Sequence, residues 1–190
     1  DSDFKSYTSM NKFHYYHYAC TGALAIEAAI KTALDYKENK CNKIISFKGS
    51  FHGINGYGGI FTDRFEPVNQ RLDGFPGSYW KHYNNPTVLN SSRYGNKTIN
   101  QNVNEVLKSI KNDIINIEGV AAILIEPIQC TYGDHYFTNE FFEGIREISS
   151  ELDIPLIFDE VQTGFGATGK IWYFENLKIV PDILVFGKKT

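Results

Sequence analysis

Apolar residues recur along this chain with two alternating periods. In "GALAIEAAIKTALDYK", from Gly22 to Lys37, the residues Leu24, Ile26, Ile30, Ala33 and Leu34 fall on one helical face. The alanine-rich filling favours helix, and Thr21 stands in front as the expected N-cap. "KIISF", Lys43 to Phe47, is a short continuous apolar run and reads as a buried strand. Gly49 to about Thr98 is rich in Gly, Pro, Asn and aromatics, and is expected to form long loops with short elements. Helical spacing resumes with Val103, Val106, Leu107, Ile110 and Ile114. "VAAILIEP", from Val120, is a strand closed by Glu126-Pro127. Phe142, Ile145, Ile148 and Leu152 mark another helix. "IPLIFDE" and "DILVFG" are two further strands. Helices alternating with near-continuous apolar strands predict an α/β fold, a mostly parallel sheet flanked by helices on both faces.

Composition narrows the function. A chain of 190 residues suits one domain or one piece of a larger one, and a net charge of −3 gives no reason to expect nucleic acid or anionic membrane as partner. No apolar run is long enough to span a bilayer, and Asp1-Ser2-Asp3-Phe4-Lys5 is not a signal peptide. Cys20, Cys41 and Cys130 are odd in number and widely spaced, so no disulfide framework is expected. A reducing cytoplasm is the expected location, and the sequons at Asn90 and Asn96 are then chance matches. His14 and His17 lack a third metal ligand nearby, so no metal site is expected. "INGYGG" lacks the following Lys-Ser or Lys-Thr of a nucleotide loop.

The strands share one property at their carboxyl ends. They run into Gly49-Ser50-Phe51-His52-Gly53, Glu126-Pro127-Ile128-Gln129, Asp159-Glu160-Val161-Gln162 and Gly187-Lys188. In an open α/β sheet those ends converge on one rim, where ligands bind. Asp159 follows four apolar residues, so its charge needs a cationic partner; taken alone, it could equally serve a structural ion pair or a cap. Lys188 is either a solvated strand-end charge or a nucleophilic amine. Thr21-Gly22-Ala23 opens a helix, either as plain capping or as a phosphate cup. Phe51 either packs in the core or stacks on a planar ring. Together these groups match the needs of pyridoxal phosphate: an amine, an acid for the pyridine nitrogen and an anion cup.

The run "LIFDEVQTGFGATGKIWYFENLKIVPDILVFGK" resembles the class III pyridoxal-phosphate aminotransferases, a fold-type-I family. Within that class, "TGALAIEAAIKTALDYK", "FKGSFHGINGYGG" and "FGKKT" look most like the L-lysine 6-aminotransferase group. The resemblance implies an incomplete cofactor-binding large domain over 1–190, with the N-terminal segment and the small C-terminal domain absent. It implies transfer of a terminal amino group, from lysine to 2-oxoglutarate, in a homodimeric full-length enzyme. The alternatives are an ornithine, 4-aminobutyrate or diamine donor, or a non-catalytic fragment. By position, Lys188 would bind the cofactor covalently, with Lys189 as competitor. Asp159 would pair with the pyridine nitrogen and Gln162 with the phenolic oxygen. Val161 and Phe51 would flank the ring, Gly22 and Ala23 would bind phosphate, and Glu126 would orient the site. One departure stands out. Thr131 falls where the family carries a second glutamate, an acid that in relatives resembles a switch over the carboxylate-binding arginine; Asp134 is a neighbouring acid that could stand in for it.

Overall fold

The computed structural model describes residues 12–63, 81–86 and 99–189. Five strands form one parallel sheet: β1 (Lys43–Phe47), β2 (His82–Tyr83), β3 (Val120–Ile125), β6 (Leu156–Glu160) and β7 (Ile183–Phe186). Their order is β2-β1-β3-β6-β7. The chain leaves β1 toward β2 on one side and then crosses back to β3 on the other. The carboxyl ends of β1 and β3 therefore flank a topological switch point, the place where open sheets accept ligands. The helices are α1 (Gly22–Tyr36), α2 (Gly56–Phe61), α3 (Ile99–Asn116) and α4 (Asn139–Glu151).

Strand alternation sorts the core into two faces. Ile44, Ala122, Leu124, Ile157 and Val185 pack with Ile26, Ala29, Ile30 and Ala33 of α1. Ile45, Phe47, Ile123, Ile125, Leu156 and Phe158 point the other way, onto Val103 and Ile110 of α3 and Phe141, Phe142, Ile145 and Ile148 of α4. The same rule sends Asp159 to the α1 face and Glu160 to the α4 face. Every residue of β3 is buried, as expected for a central parallel strand.

Local chemistry sets the helix starts. Thr21 Oγ1 accepts the Leu24 N–H at 3.2 Å, and Thr138 Oγ1 accepts that of Phe141 at 3.2 Å. Each satisfies an amide that has no partner within its helix.

The structure differs from the sequence reading in three places. Strand β6 begins at Leu156, not Ile154, because Pro155 has no amide for the ladder. A short antiparallel hairpin, β4 (Ile128–Gln129) and β5 (His135–Tyr136), follows β3 and has no apolar period to announce it. Strand β7 is an edge strand among the described residues; only Val185 is buried, so the "DILVFG" run is half-buried rather than enclosed. The expected loops between Gly49 and Thr98 fall partly on 64–80 and 87–98, outside the described residues.

Aromatic rings fill the α4 face. Phe141 is fully buried, stacks on Phe137 at 5.1 Å between centroids and meets Phe47 edge-on at 5.6 Å. Phe141→Ala should lower unfolding stability by about 3–5 kcal/mol in urea titrations. A loss below about 1 kcal/mol would show that this ring cluster does not hold α4 to the sheet.

Candidate active site

The strand ends do converge. Asp159 is 5% exposed at the end of β6. Its Oδ2 lies 2.9 Å from Nδ1 of His52, in the loop after β1, and its Oδ1 accepts the Val161 N–H at 3.1 Å. Where the sequence called for a cationic partner, the side chain that meets this buried acid is an imidazole from two strands away. Sequence reasoning passed over His52 because a lone histidine between Phe51 and Gly53 carries no spacing signal.

Glu160, one residue on, is fully buried on the opposite face. Its Oε2 accepts from Tyr173 N at 2.6 Å and Thr163 Oγ1 at 3.1 Å, and its Oε1 accepts from Phe174 N at 3.0 Å. It ties the 3₁₀ turn Tyr173–Asn176 to the strand end.

Across the switch point, buried Glu126 accepts the Phe51 N–H at 2.7 Å, which fixes the backbone of the loop that carries Phe51 and His52. Buried Gln129 donates to Lys48 O at 2.9 Å and accepts from Asn85 Nδ2 at 2.7 Å. Cys130 to Tyr132 then form one 3₁₀ turn. Burial, with Glu126 and Asp134 nearby, pushes the Cys130 thiol up against an opposing pull from Lys189, so this sulfur stays protonated at neutral pH. Thr131 Oγ1 is buried without a hydrogen-bond partner among the described residues. Asp134 is exposed and has a positive φ of 54°.

The start of α1 closes the other side. A Cβ at Gly22 would stand 2.9 Å from Val161 Cγ1, so only glycine lets the helix approach so closely. Gly53, at φ 108°, faces Ala23: a Cβ there would lie 2.9 Å from the Ala23 methyl. Val161 also faces Gly187, 4.0 Å from where a Cβ would be. Gly22, Ala23, Val161 and Gly187 thus line one continuous wall. Beyond it Lys188 is exposed and takes a left-handed turn, φ 59°. Lys189 Nζ donates to the Gln162 main-chain carbonyl, so the two lysines differ: the second is tied down by its amine. Gln162 itself is half-buried.

The whole described chain aligns with proteins of known class. A family model for "Aminotransferase class-III" matches residues 8–190. The chain belongs to the class III aminotransferases. It is 34% identical over 180 residues to an L-lysine-epsilon aminotransferase of Mycobacterium tuberculosis, covering 89% of this chain and 39% of that protein. It is 40% identical over 152 residues to a 4-aminobutyrate aminotransferase of Dictyostelium discoideum, covering 77% and 30%. A solved lysine aminotransferase from M. tuberculosis, in the internal aldimine form, superposes with a TM-score of 0.78 at 28% identity over all of this chain and 52% of that one. The chain thus spans less than two-fifths of the length of these curated relatives.

The cofactor of class III aminotransferases is pyridoxal phosphate, and the residues present fit it. A buried carboxylate lies at the rim, a 15-residue helix opens beside it at Gly22, and a lysine follows the neighbouring strand. Among the described residues no three His, Cys, Asp or Glu side chains are gathered for a metal, and His14 and His17 are both exposed. The three cysteines are free. No helix among the described residues is long and apolar enough to cross a membrane.

Burial pushes the Glu160 carboxyl up to about 7, from an ordinary 4.5, against the pull of its three donors. A folded-state value above the unfolded one stabilises the fold below about pH 4.5, and that contribution is lost as pH rises through 7. Glu160→Gln, neutral throughout, should therefore gain on the parent by up to a few kcal/mol between those limits. Urea unfolding at pH 5 and pH 8 measures it, and parallel stability curves would remove Glu160 as the cause.

Proposed function

We propose that the full-length protein is a pyridoxal-phosphate-dependent aminotransferase that takes a terminal amino group from an amino acid, L-lysine as first choice, and passes it to a 2-oxo acid such as 2-oxoglutarate. The observation that carries this reading is the buried Asp159 on β6, with Gly187-Lys188 leaving the neighbouring strand and the start of α1 against Val161. The bound cofactor would supply an electron sink for the carbon that loses a proton. Asp159 would hold a proton on the ring nitrogen. Lys188 Nζ would hold the cofactor and then move a proton from the amine-bearing carbon, as a general base within reach. The first amides of α1, at Gly22 and Ala23, would bind the phosphate. Phe51 and Val161 would flank the ring, and Gln162 would donate to its phenolic oxygen. Glu126 would act at one remove, through the Phe51 amide it already holds.

Borohydride reduction of the cofactor-loaded protein, followed by peptide mapping, should place the label on Lys188. The Lys189 amine is already engaged by Gln162 O, which supports that choice over its neighbour. Label on Lys189, or on no lysine, would overturn the assignment. The same likeness supports a homodimer, and a monomeric mass by light scattering would refute it.

The 40% identity to a 4-aminobutyrate aminotransferase supports a second donor choice within the same chemistry. Thr131 is where the two donors should be told apart. A neutral threonine cannot screen a carboxylate-binding arginine as an acid would, so glutamate should also serve well as a donor. Thr131→Glu should move the kcat/KM ratio of lysine to glutamate several-fold toward lysine, about 1 kcal/mol. An unchanged ratio would mean that Thr131 does not set donor choice.

A further inference from the structure

We infer that Lys189 is the positioning residue for Lys188: its amine, fastened to the main chain at Gln162, holds a strained turn that takes Lys188 out of the alternation of β7. The turn and the tie rest on geometry alone; their use rests on the proposed function above.

Strand alternation sets the problem. Asp159 pairs in register with Val185 and Glu160 with Phe186, and paired residues of a parallel sheet share a face. Ile183 and Val185 pack on the α1 side, and Leu184 and Phe186 on the aromatic side. An extended chain would continue that order. Lys188 would fall on the face of Phe186 and Glu160, and Lys189 on the face of Asp159. By alternation alone the second lysine, not the first, would share a face with the acid.

The chain does not stay extended. The Lys189 N–H donates to Gly187 O at 2.6 Å, and Lys188 between them has φ 59°. That is a γ-turn of the rare, strained hand, at a residue with a Cβ. Glycine would adopt it freely; a lysine stays there only if its surroundings hold it. Lys189 Nζ supplies such a hold by donating to Gln162 O, in the turn after β6. Hydrogen bonds from a charged donor are among the stronger ones. The anchor is firm, because the Gln162 segment is fixed on both sides. The Val161 N–H donates to Asp159 Oδ1 at 3.1 Å, Thr163 Oγ1 to Glu160 Oε2 at 3.1 Å, and the Gly164 N–H to Glu160 O at 2.9 Å. Val161 also stands 4.0 Å from where a Cβ at Gly187 would be, so the two turns already approach each other. One amine thus ties the end of β7 to the end of β6 across the turn at Lys188.

Two variants of the full-length protein test the tie. Lys189→Met keeps most of the side chain's length but no donor; Lys189→Arg keeps a charged donor. On addition of pyridoxal phosphate, borohydride-trapped label on Lys188 should form at least about tenfold more slowly in the Met variant, and near the parent rate in the Arg variant. In the cofactor-free proteins, the amide of residue 189 should exchange its hydrogen several-fold faster in the Met variant alone. Urea unfolding should be alike in all three, because Lys189 is exposed. Parent-like trapping in the Met variant would overturn the proposal. So would an Arg variant as slow as the Met variant, or a Met variant destabilised throughout, which would make Lys189 a strut of the fold. Label on Lys189 in the parent would overturn the proposal together with the choice of Lys188. A parent that takes up no cofactor would instead refute the proposed function, and exchange at the amide of residue 189 would still decide the turn.

Discussion

Asp159 is a carboxylate held almost out of water at the end of a central strand, and much of the rim is arranged around that cost. A buried charge must be met by donors or by an opposite charge. Two donors are in place, the His52 ring and the Val161 amide. Each reaches Asp159 only because something else holds it. His52 is placed by Thr62 and by the loop that Glu126 fixes through Phe51. Val161 is confined between Gly22 and Gly187. The acid thus links the ends of β1 and β6 to the start of α1.

Asp159 and Glu160 show how strand alternation divides labour between adjacent, chemically similar side chains. Both are buried acids at one strand end. Asp159 points to the α1 face and into the rim. Glu160 points to the aromatic face, where three donors from Thr163, Tyr173 and Phe174 surround it. One is left with lone pairs for a ligand, and the other spends its capacity on the backbone of the following turn. The partners, not the residue type, make one a site residue and the other a strut.

The sheet was legible from the sequence because parallel strands buried on both faces must be continuously apolar, and "VAAILI" and "LIF" are. The rim was legible for the same reason: polar residues that follow such runs have nowhere else to go. Asp159 and Glu126 were placed at the rim on that ground; the Gly22 helix start was read from its small residues, and the place of Val161 came only with the family resemblance. His52 was not, because its role depends on a contact 107 positions away that no local period encodes. The Lys189 tie to Gln162 is invisible for the same reason, so no local pattern sets the two amines of the doubled lysine apart. The β4–β5 hairpin escaped because two-residue strands are too short to show alternation.

Relatives named for lysine, 4-aminobutyrate and aminoadipate semialdehyde all match this chain at 34–40% identity. That spread follows from which part of the fold is present. The groups gathered at the rim are of the kinds that pyridoxal phosphate needs: a buried acid, the amides of a helix start and a strand-end lysine. Those demands do not change with the donor. The Cys130–Tyr132 turn is different. It leaves the rim right after Gln129, carries at Thr131 a hydroxyl with no partner among the described residues, and sets Tyr132 at a tilt to the His135 ring, 4.9 Å between centroids. No cofactor group requires a threonine there. A position beside that chemistry but free of its demands is where a change of donor can be written without loss of the reaction, and the proposal that Thr131 sets donor choice rests on its standing there.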